Sequence, residues 1–329
     1  MARFYIVFFL FLVFSVLIVM IGHFLIYKYL VKIFGIDNLL VKKIMASFLA
    51  FLSISFILSL VLVNSFENFL TRGFYHFTGI WHGLMVYMLL AIFSTWLIAF
   101  FLQIFKVESK IISVHVIGLS ALAITVGVVV YSIFNALNVD IKTIRPEINH
   151  LPSAWKGKKA VQLTDLHLGS TMNVKFLDQV VEKTNRQQAD IIFITGDLFD
   201  GRADELDIFV PGLNKLEAPL GVFFVTGNHE TYIGEDKTMS ALEKTAIKVL
   251  DDKAIDVAGV NLAGIFYPEA RSGKVVLLAQ LNKVLEDMPR QPTILLYHEP
   301  VQIEELADSG QVDLMLSGHT HRGCATLQQ

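Results

Sequence analysis

Eight polar side chains, all of them oxygen or imidazole donors, follow short apolar runs in the second half of the chain. One Asp-x-His or His-x-His pair would be a weak signal. Here five motifs carry donors of this kind and together hold five of the ten histidines, which indicates a metal centre. The donors are Asp165, His167, Asp197, Asn228, His229, His298, His319 and His321.

The spacing within the motifs has a physical meaning. Asp165 and His167 stand two residues apart, as do His319 and His321. Side chains at i and i+2 point the same way on an extended segment, so each pair is expected to present two ligands from one short loop. Glycines before three of the ligands allow tight turns and a close approach of the backbone. These glycines are Gly196, Gly227 and Gly318.

The donor set also predicts which metals bind and how many. It mixes nitrogen with oxygen and contains no thiolate, which suits Mn²⁺, Fe or Zn²⁺ better than a soft metal. With His229 set aside for a reason given below, seven donors are too many for one ion and suit two. Two ions about 3.5–4 Å apart form a clamp for phosphoryl displacement, and one aspartate is then expected to be shared between them.

The elements that carry these donors have the pattern of an α/β fold. Apolar runs of strand length precede each motif, and the segment 173–188 between the first two runs has apolar residues at helical spacing. Polar groups that follow strands alternating with helices are typical of an α/β active site. The runs are Ala160–Leu163, Ile191–Thr195, Val222–Thr226, Thr293–Leu296 and Leu314–Leu316. A further short strand is predicted at Val139–Lys142, where apolar and polar residues alternate.

The ordered motifs Asp-Leu-His, Gly-Asp, Gly-Asn-His-Glu, Tyr-His-Glu-Pro and Gly-His-Thr-His resemble those of the calcineurin-like metallophosphoesterases, above all their membrane-attached bacterial-type branch. The resemblance covers about residues 139–323. It implies a sandwich of two mixed β-sheets flanked by helices. It also implies hydrolysis of phosphate esters or pyrophosphates by a metal-bound hydroxide.

The resemblance assigns a role to each donor. Asp165, His167 and His321 would hold the first metal together with Asp197, which would bridge the two ions. The second metal would be completed by Asn228, His298 and His319. His229 would not be a ligand; it would face the phosphate and protonate the leaving oxygen or stabilise the transition state.

Other residues near the motifs receive less specific interpretations. Asp200 is expected beside the ligands or at the surface, and Glu230 and Glu299 are expected to orient histidines or backbone. Arg322 stands where many family members have glycine, and contact with substrate phosphate and neutral variation both remain open for it. Cys324, the one cysteine in the chain, excludes an intrachain disulfide and is expected to be a small buried filler.

The first part of the chain has the composition of a membrane anchor. Four apolar runs reach the roughly 20 residues that a helix needs to cross about 30 Å of hydrocarbon, and none contains Asp, Glu, Lys or Arg. Ionisable side chains in the runs are confined to three histidines, interpreted as interfacial or helix-packing, which argues against a transporter. The runs are about Phe4–Tyr27, Ile44–Val63, Ile80–Phe105 and Ile111–Phe134.

Basic residues near the spans predict the orientation. The first and third loops carry Lys28, Lys32, Lys42, Lys43, Lys106 and Lys110. The other side carries Arg3, Arg72, Lys142 and Arg145. Six against four favours cytoplasmic first and third loops, so the protein is expected to be a multi-pass protein of the cell membrane with an extracytoplasmic catalytic domain.

These observations predict a four-helix transmembrane anchor over residues 1–137 and a metallophosphoesterase domain over 138–329. Because the chain ends eight residues after His321, where family members continue with further strands, the domain is expected to be truncated. The net charge of −3 does not favour nucleic-acid binding. Expected partners are the bilayer and a phosphoester, which the anchor suggests is lipid-linked. The alternatives are a membrane sensor or scaffold with an impaired domain and a transporter with an accessory domain.

Overall fold

The computed structural model describes residues 2–66, 68–106, 114–136, 138–201, 203–267 and 277–320. The chain divides into two compact units, residues 1–138 and 139–329, and each is described by itself. Among the described residues the first unit consists of helices, and the second combines helices with two β-sheets. The predicted fold class, a bundle of apolar helices followed by an α/β domain, is confirmed.

Four helices in the first unit are long and apolar enough to cross a membrane. Many of their large apolar side chains are exposed, as expected of a surface that lipid covers. The third helix begins well before the predicted Ile80 because the Asn68 side chain caps it, accepting from the N–H groups of Leu70 and Thr71. The helices are α1 (Ala2–Ile33), α2 (Leu39–Ser65), α3 (Phe69–Ile104) and α4 (Val114–Ala136).

The histidines inside these helices include one that joins two of them. His23 is buried in α1, and its Nδ1 donates to the Val19 carbonyl over 2.8 Å. Its Nε2 accepts a hydrogen bond of 2.9 Å from the indole N–H of Trp81 in α3. Both ring nitrogens of His23 are therefore occupied by helix-packing contacts, which supports the helix-packing interpretation for this residue.

The first sheet of the second unit is parallel in all four described strands. In spatial order its strands are β1 (Ala160–Leu163), β2 (Ile191–Thr195), β3 (Val222–Val225) and β4 (Lys248–Val249). Helices connect them as parallel strands require. The connecting helices are α5 (Val174–Asn185), a 3₁₀ helix at Ala203–Phe209, α6 (Val210–Leu213), α7 (Asn228–Ile233) and α8 (Glu235–Leu242).

The second sheet is mixed. Its first pair is antiparallel and the other two pairs are parallel. In spatial order its strands are β5 (Lys253–Val257), β6 (Val260–Gly264), β7 (Thr293–Leu296) and β8 (Leu314–Leu316). The helices α9 (Leu277–Val284) and α10 (Ile303–Ser309) lie between the last three strands in the chain. All five predicted strand runs are confirmed, whereas β4, β5 and β6 were not predicted.

Side chains from both sheets form one apolar layer. In β2, Ile191 and Phe193 pack with Leu262 and Leu296 of the second sheet. The alternate residue Ile192 packs instead with the helices on the outer face. A strand buried on both faces needs apolar residues throughout, which explains why the runs are continuous and not alternating.

The segment that enters the second unit differs from the prediction. Val139–Lys142 forms no strand, and its side chains are largely exposed, so the predicted strand is wrong. Alternation of apolar and polar residues does not produce a strand unless another strand pairs with its backbone, and none of the described strands pairs with this segment. The segment is held further along by Trp155, a buried residue whose indole N–H donates to the Val257 carbonyl over 2.8 Å.

Candidate metal centre

Five loops that follow β1, β2, β3, β7 and β8 bring the predicted donors to one end of the two sheets. The sheets are tied together there by Gln162, whose amide donates to the Thr195 hydroxyl over 2.7 Å and to the Ser317 carbonyl over 2.9 Å. The structure places seven of the eight predicted residues at this end. His321, Arg322 and Cys324 lie outside the described residues.

The backbone of the site is strained. Four predicted site residues have positive φ: Asp165 (53°), His167 (46°), Asp197 (51°) and His319 (65°). For residues with a Cβ, conformations of this kind cost on the order of 1–3 kcal/mol each and persist only where the surroundings impose them. The Asp165–His167 segment is therefore not extended, and the two side chains are aimed by left-handed backbone and not by strand alternation.

Asp197 is at the centre of the site. Its Oδ2 lies 3.2 Å from Nε2 of His298 and 3.9 Å from Nε2 of His167, and its Oδ1 accepts the His229 N–H over 2.9 Å. Within the part of the chain that the structure describes, two groups of potential ligands contain it, with ligand atoms within 4.8 Å of one another in each group. One group is Asp197, His167 and His229, and the other is Asp197, His298 and His319.

His298 has a buried ring nitrogen that suits a cation. The side chain is 0% exposed, and its Nδ1 donates to the Thr195 carbonyl over 2.8 Å. Because that carbonyl can only accept, the neutral ring carries its lone pair on Nε2, which is buried 3.2 Å from Oδ2 of Asp197. A buried nitrogen of this kind calls for an explanation, and a metal ion beside Asp197 would provide one.

The pKa values of this pair reflect the same arrangement. Burial raises the pKa of Asp197, but His298 and the His229 N–H lower it by more, so the net pKa lies below its usual range. Burial lowers the pKa of His298, but the Asp197 carboxylate and the Thr195 carbonyl raise it by more, so the net pKa lies above its usual range. Both shifts favour an imidazolium beside an ionised Asp197, and a metal ion bound at Nε2 would take the place of that proton.

Asp165, Asn228 and His319 meet at the edge of the site. The His319 N–H donates to both Asp165 carboxylate oxygens, over 3.0 Å and 3.1 Å, and its ring Nδ1 lies 3.0 Å from Oδ1 of Asn228. The structure thus brings together Asn228 and His319, which are predicted for one ion. Asp165, predicted for the other ion, accepts from the backbone of the loop that carries His319.

His229 is placed so that two roles are open to it. Its ring centroid lies 4.4 Å from that of His167, and one of its nitrogens belongs to the group around Asp197. Its Nδ1 also lies 3.3 Å from Oδ1 of Asp200. The geometry therefore fits a ligand as well as the proton donor that the family resemblance assigns.

Two glycines allow the loops to meet. A Cβ on Gly227 would lie 2.3 Å from Oδ1 of Asp197, and one on Gly318 would lie 1.9 Å from the Thr164 hydroxyl and 2.6 Å from Oδ2 of Asp165. Neither position has room for a side chain. Both glycines are therefore required by close contact.

The sequence interpretation missed several supporting residues. Thr164 donates to Oδ2 of Asp165 over 2.7 Å, and the Thr195 carbonyl holds His298. The signal available was a threonine at the end of one strand run, Thr195, and directly after another, Thr164. Glu230, expected to orient histidines or backbone, accepts from four backbone N–H groups of described residues, and Asp200 contacts His229.

The second unit is similar in sequence to known proteins. The family model for calcineurin-like phosphoesterase matches residues 158–323. A Helicobacter pylori protein described as an uncharacterized metallophosphoesterase is 37% identical over 184 residues, which cover 54% of this chain and 50% of the relative. A Bos taurus transmembrane protein with metallophosphoesterase domain is 33% identical over 221 residues, 62% of this chain and 49% of the relative. The chain spans about half the length of the curated relatives it matches.

Proposed function

The chain belongs to the calcineurin-like phosphoesterase family, and on that premise we propose that it is a membrane-anchored, two-metal hydrolase of phosphate esters or pyrophosphates. The observation that carries the proposal is the position of Asp197. Among the described residues it is shared by two groups of donors, one of which includes His298, whose buried Nε2 lies 3.2 Å from Oδ2 of Asp197.

We assign the ligands as the family resemblance implies. Asp197 would be shared between the two ions, as its membership of both donor groups supports. The first ion would be held with Asp165, His167 and His321, and the second with Asn228, His298 and His319. Mixed oxygen and imidazole donors favour Mn²⁺, Fe or Zn²⁺.

The chain's own residues would do the remaining chemistry. When bound, the two ions would lower the pKa of a water ligand and neutralise charge on the phosphate oxygens. His229 would hold the proton that the leaving oxygen takes up, with Asp200 orienting its ring through Nδ1. The Thr195 carbonyl would keep His298 in the tautomer whose Nε2 is a ligand.

A lipid-linked phosphoester is the substrate class that we propose. Four helices with the length and composition of membrane spans would keep residues 138–329 near a bilayer surface. Within the second unit, Tyr232 is 67% exposed, and its ring centroid lies 5.6 Å from that of His229. An exposed ring beside the proposed proton donor offers an apolar surface to the organic part of an ester.

Hydrolysis by the purified full chain tests the function. With Mn²⁺, we expect turnover of a chromogenic phosphodiester, and we expect a chelator to stop it and added Mn²⁺ to restore it. A panel of phosphomonoesters, phosphodiesters and lipid pyrophosphates then tests the substrate class. A chain that retains two metals and hydrolyses none of them would favour the alternative, a membrane sensor or scaffold with an impaired domain.

The orientation gives a separate prediction. A reporter that is active only in the cytoplasm, fused after Gly157, should be silent, because the basic residues favour an extracytoplasmic second unit. The matched control is the same reporter fused after Gly35, between α1 and α2, which should be active. The reverse pattern would overturn the orientation and leave the chemistry unaffected.

A further inference from the structure

Glu230 is a fully buried carboxylate that contacts the backbone of the metal centre. It lies in α7, its exposure is 0%, and its two oxygens accept four backbone hydrogen bonds. Oε2 accepts from the N–H groups of Asp197 over 2.9 Å and Gly227 over 2.7 Å. Oε1 accepts from those of Leu198 over 2.9 Å and Phe199 over 3.1 Å. All four of these partners are main-chain donors.

The four donors come from two different loops. Asp197, Leu198 and Phe199 follow β2, whereas Gly227 follows β3. One carboxylate therefore connects the loop that carries the shared aspartate to the loop that carries Asn228 and His229. We refer to these four hydrogen bonds as the Glu230 brace.

The backbone at Asp197 is a place where such a brace is needed. Gly196 and Asp197 have φ values of 85° and 51°, so two consecutive residues are left-handed. A conformation that a residue with a Cβ rarely adopts persists only if its surroundings impose it. Four N–H bonds to one side chain supply that constraint, because they fix both of its oxygens against the two loops.

The same contacts set the distance between the two loops. Gly227 lies so close to the Asp197 carboxylate that a Cβ there would be 2.3 Å from Oδ1. The His229 N–H also donates to that Oδ1. A change in the separation of the loops would therefore move the carboxylate that both donor groups contain.

We propose that Glu230 is a positioning residue that holds Asp197 in the orientation needed to bind two metal ions. The ligand role of Asp197 in this inference rests on the proposed function. The brace requires a carboxylate, because glutamine would replace one acceptor oxygen with an NH₂ donor. Whichever way the amide turned, two of the four backbone N–H groups would face a donor.

The test compares Glu230→Gln with Glu182→Gln in the full chain. Glu182 lies on α5 with its side chain 61% exposed, so its variant makes the same chemical change away from the brace. In the metal-free state we expect faster amide hydrogen exchange at residues 197–199 and 227 in Glu230→Gln alone, with β7 protected as in the wild type. We expect Mn²⁺ affinity to fall about 10–100-fold, the range for residues that orient ligands.

Glu230→Asp provides a second variant if Glu230→Gln does not fold. It retains two acceptor oxygens on a side chain one methylene shorter, so we expect faster exchange at the same four amides and a smaller loss of Mn²⁺ affinity. Wild-type exchange and affinity in a folded Glu230 variant would overturn the inference. A wild-type chain that binds no Mn²⁺ would instead overturn the proposed function, and the inference about metal retention with it.

Discussion

Replacing Asp197 with alanine is expected to remove hydrolysis and metal retention together. Asp197 is the residue that both groups of donors contain, so its loss takes a ligand from each proposed ion at once. Without the carboxylate, two cations would face each other with no negative charge between them, which is unfavourable at a separation of about 3.5–4 Å. Activity should fall to background in the presence of Mn²⁺.

The measurement is metal content per chain, taken on the same preparation as the rate of phosphodiester hydrolysis. A suitable control is Asp178→Ala, because the Asp178 side chain is 49% exposed and pairs with Lys215 at 3.0 Å on the surface of the second unit. This control should keep both properties, since exposed ion pairs contribute little. Full activity with normal metal content in Asp197→Ala would contradict the two-metal assignment.

Replacing His229 with alanine should give a different pattern, with metal content near normal and a rate reduced by about 10²–10⁴-fold. That range is typical when a general acid–base residue is removed. The prediction follows from the role in which His229 protonates the leaving oxygen while Asp200 orients its ring. The rate should therefore fall while the metal content stays near normal in this variant, whereas both should fall in Asp197→Ala.

The same experiment decides between the two roles that the geometry allows. His229 belongs to a donor group with His167 and Asp197, so a ligand role would cost one metal equivalent. Loss of one ion per chain in His229→Ala would show that His229 is a ligand and that the family resemblance misassigns it. Asp200→Asn offers a milder comparison, since it should lower the rate through the ring of His229 without lowering metal content.

The strands β5 and β6 and the helix α7 are elements that the sequence patterns did not predict. β5 and β6 form a hairpin whose two turn residues, Ala258 and Gly259, have φ values of 53° and 84°. Turns of this type favour asparagine or aspartate at the first position, and alanine gives no such signal. The six-residue helix α7 is likewise too short to produce a periodic pattern.

The sequence by itself determined the four long apolar helices, the five strands that precede the motifs and the types of donor at the site. These features depend on local composition, because a span needs length and apolarity and a strand buried on both faces needs a continuous apolar run. It also determined the family, because the motifs occur in a specific order. It did not determine which donors share an ion, since residues 165 and 319 are far apart in the chain.

The tertiary structure alone decided how the donors are aimed and held. Positive φ at Asp165 and Asp197, the hydrogen bond between His298 and the Thr195 carbonyl and the four hydrogen bonds of Glu230 all depend on groups from other loops. The residue type alone does not predict any of these features. A glutamate that accepts from backbone N–H groups cannot be distinguished in the sequence from one that binds a metal. Long-range packing imposes the strained conformations at the site, and that packing exists only after both sheets have formed.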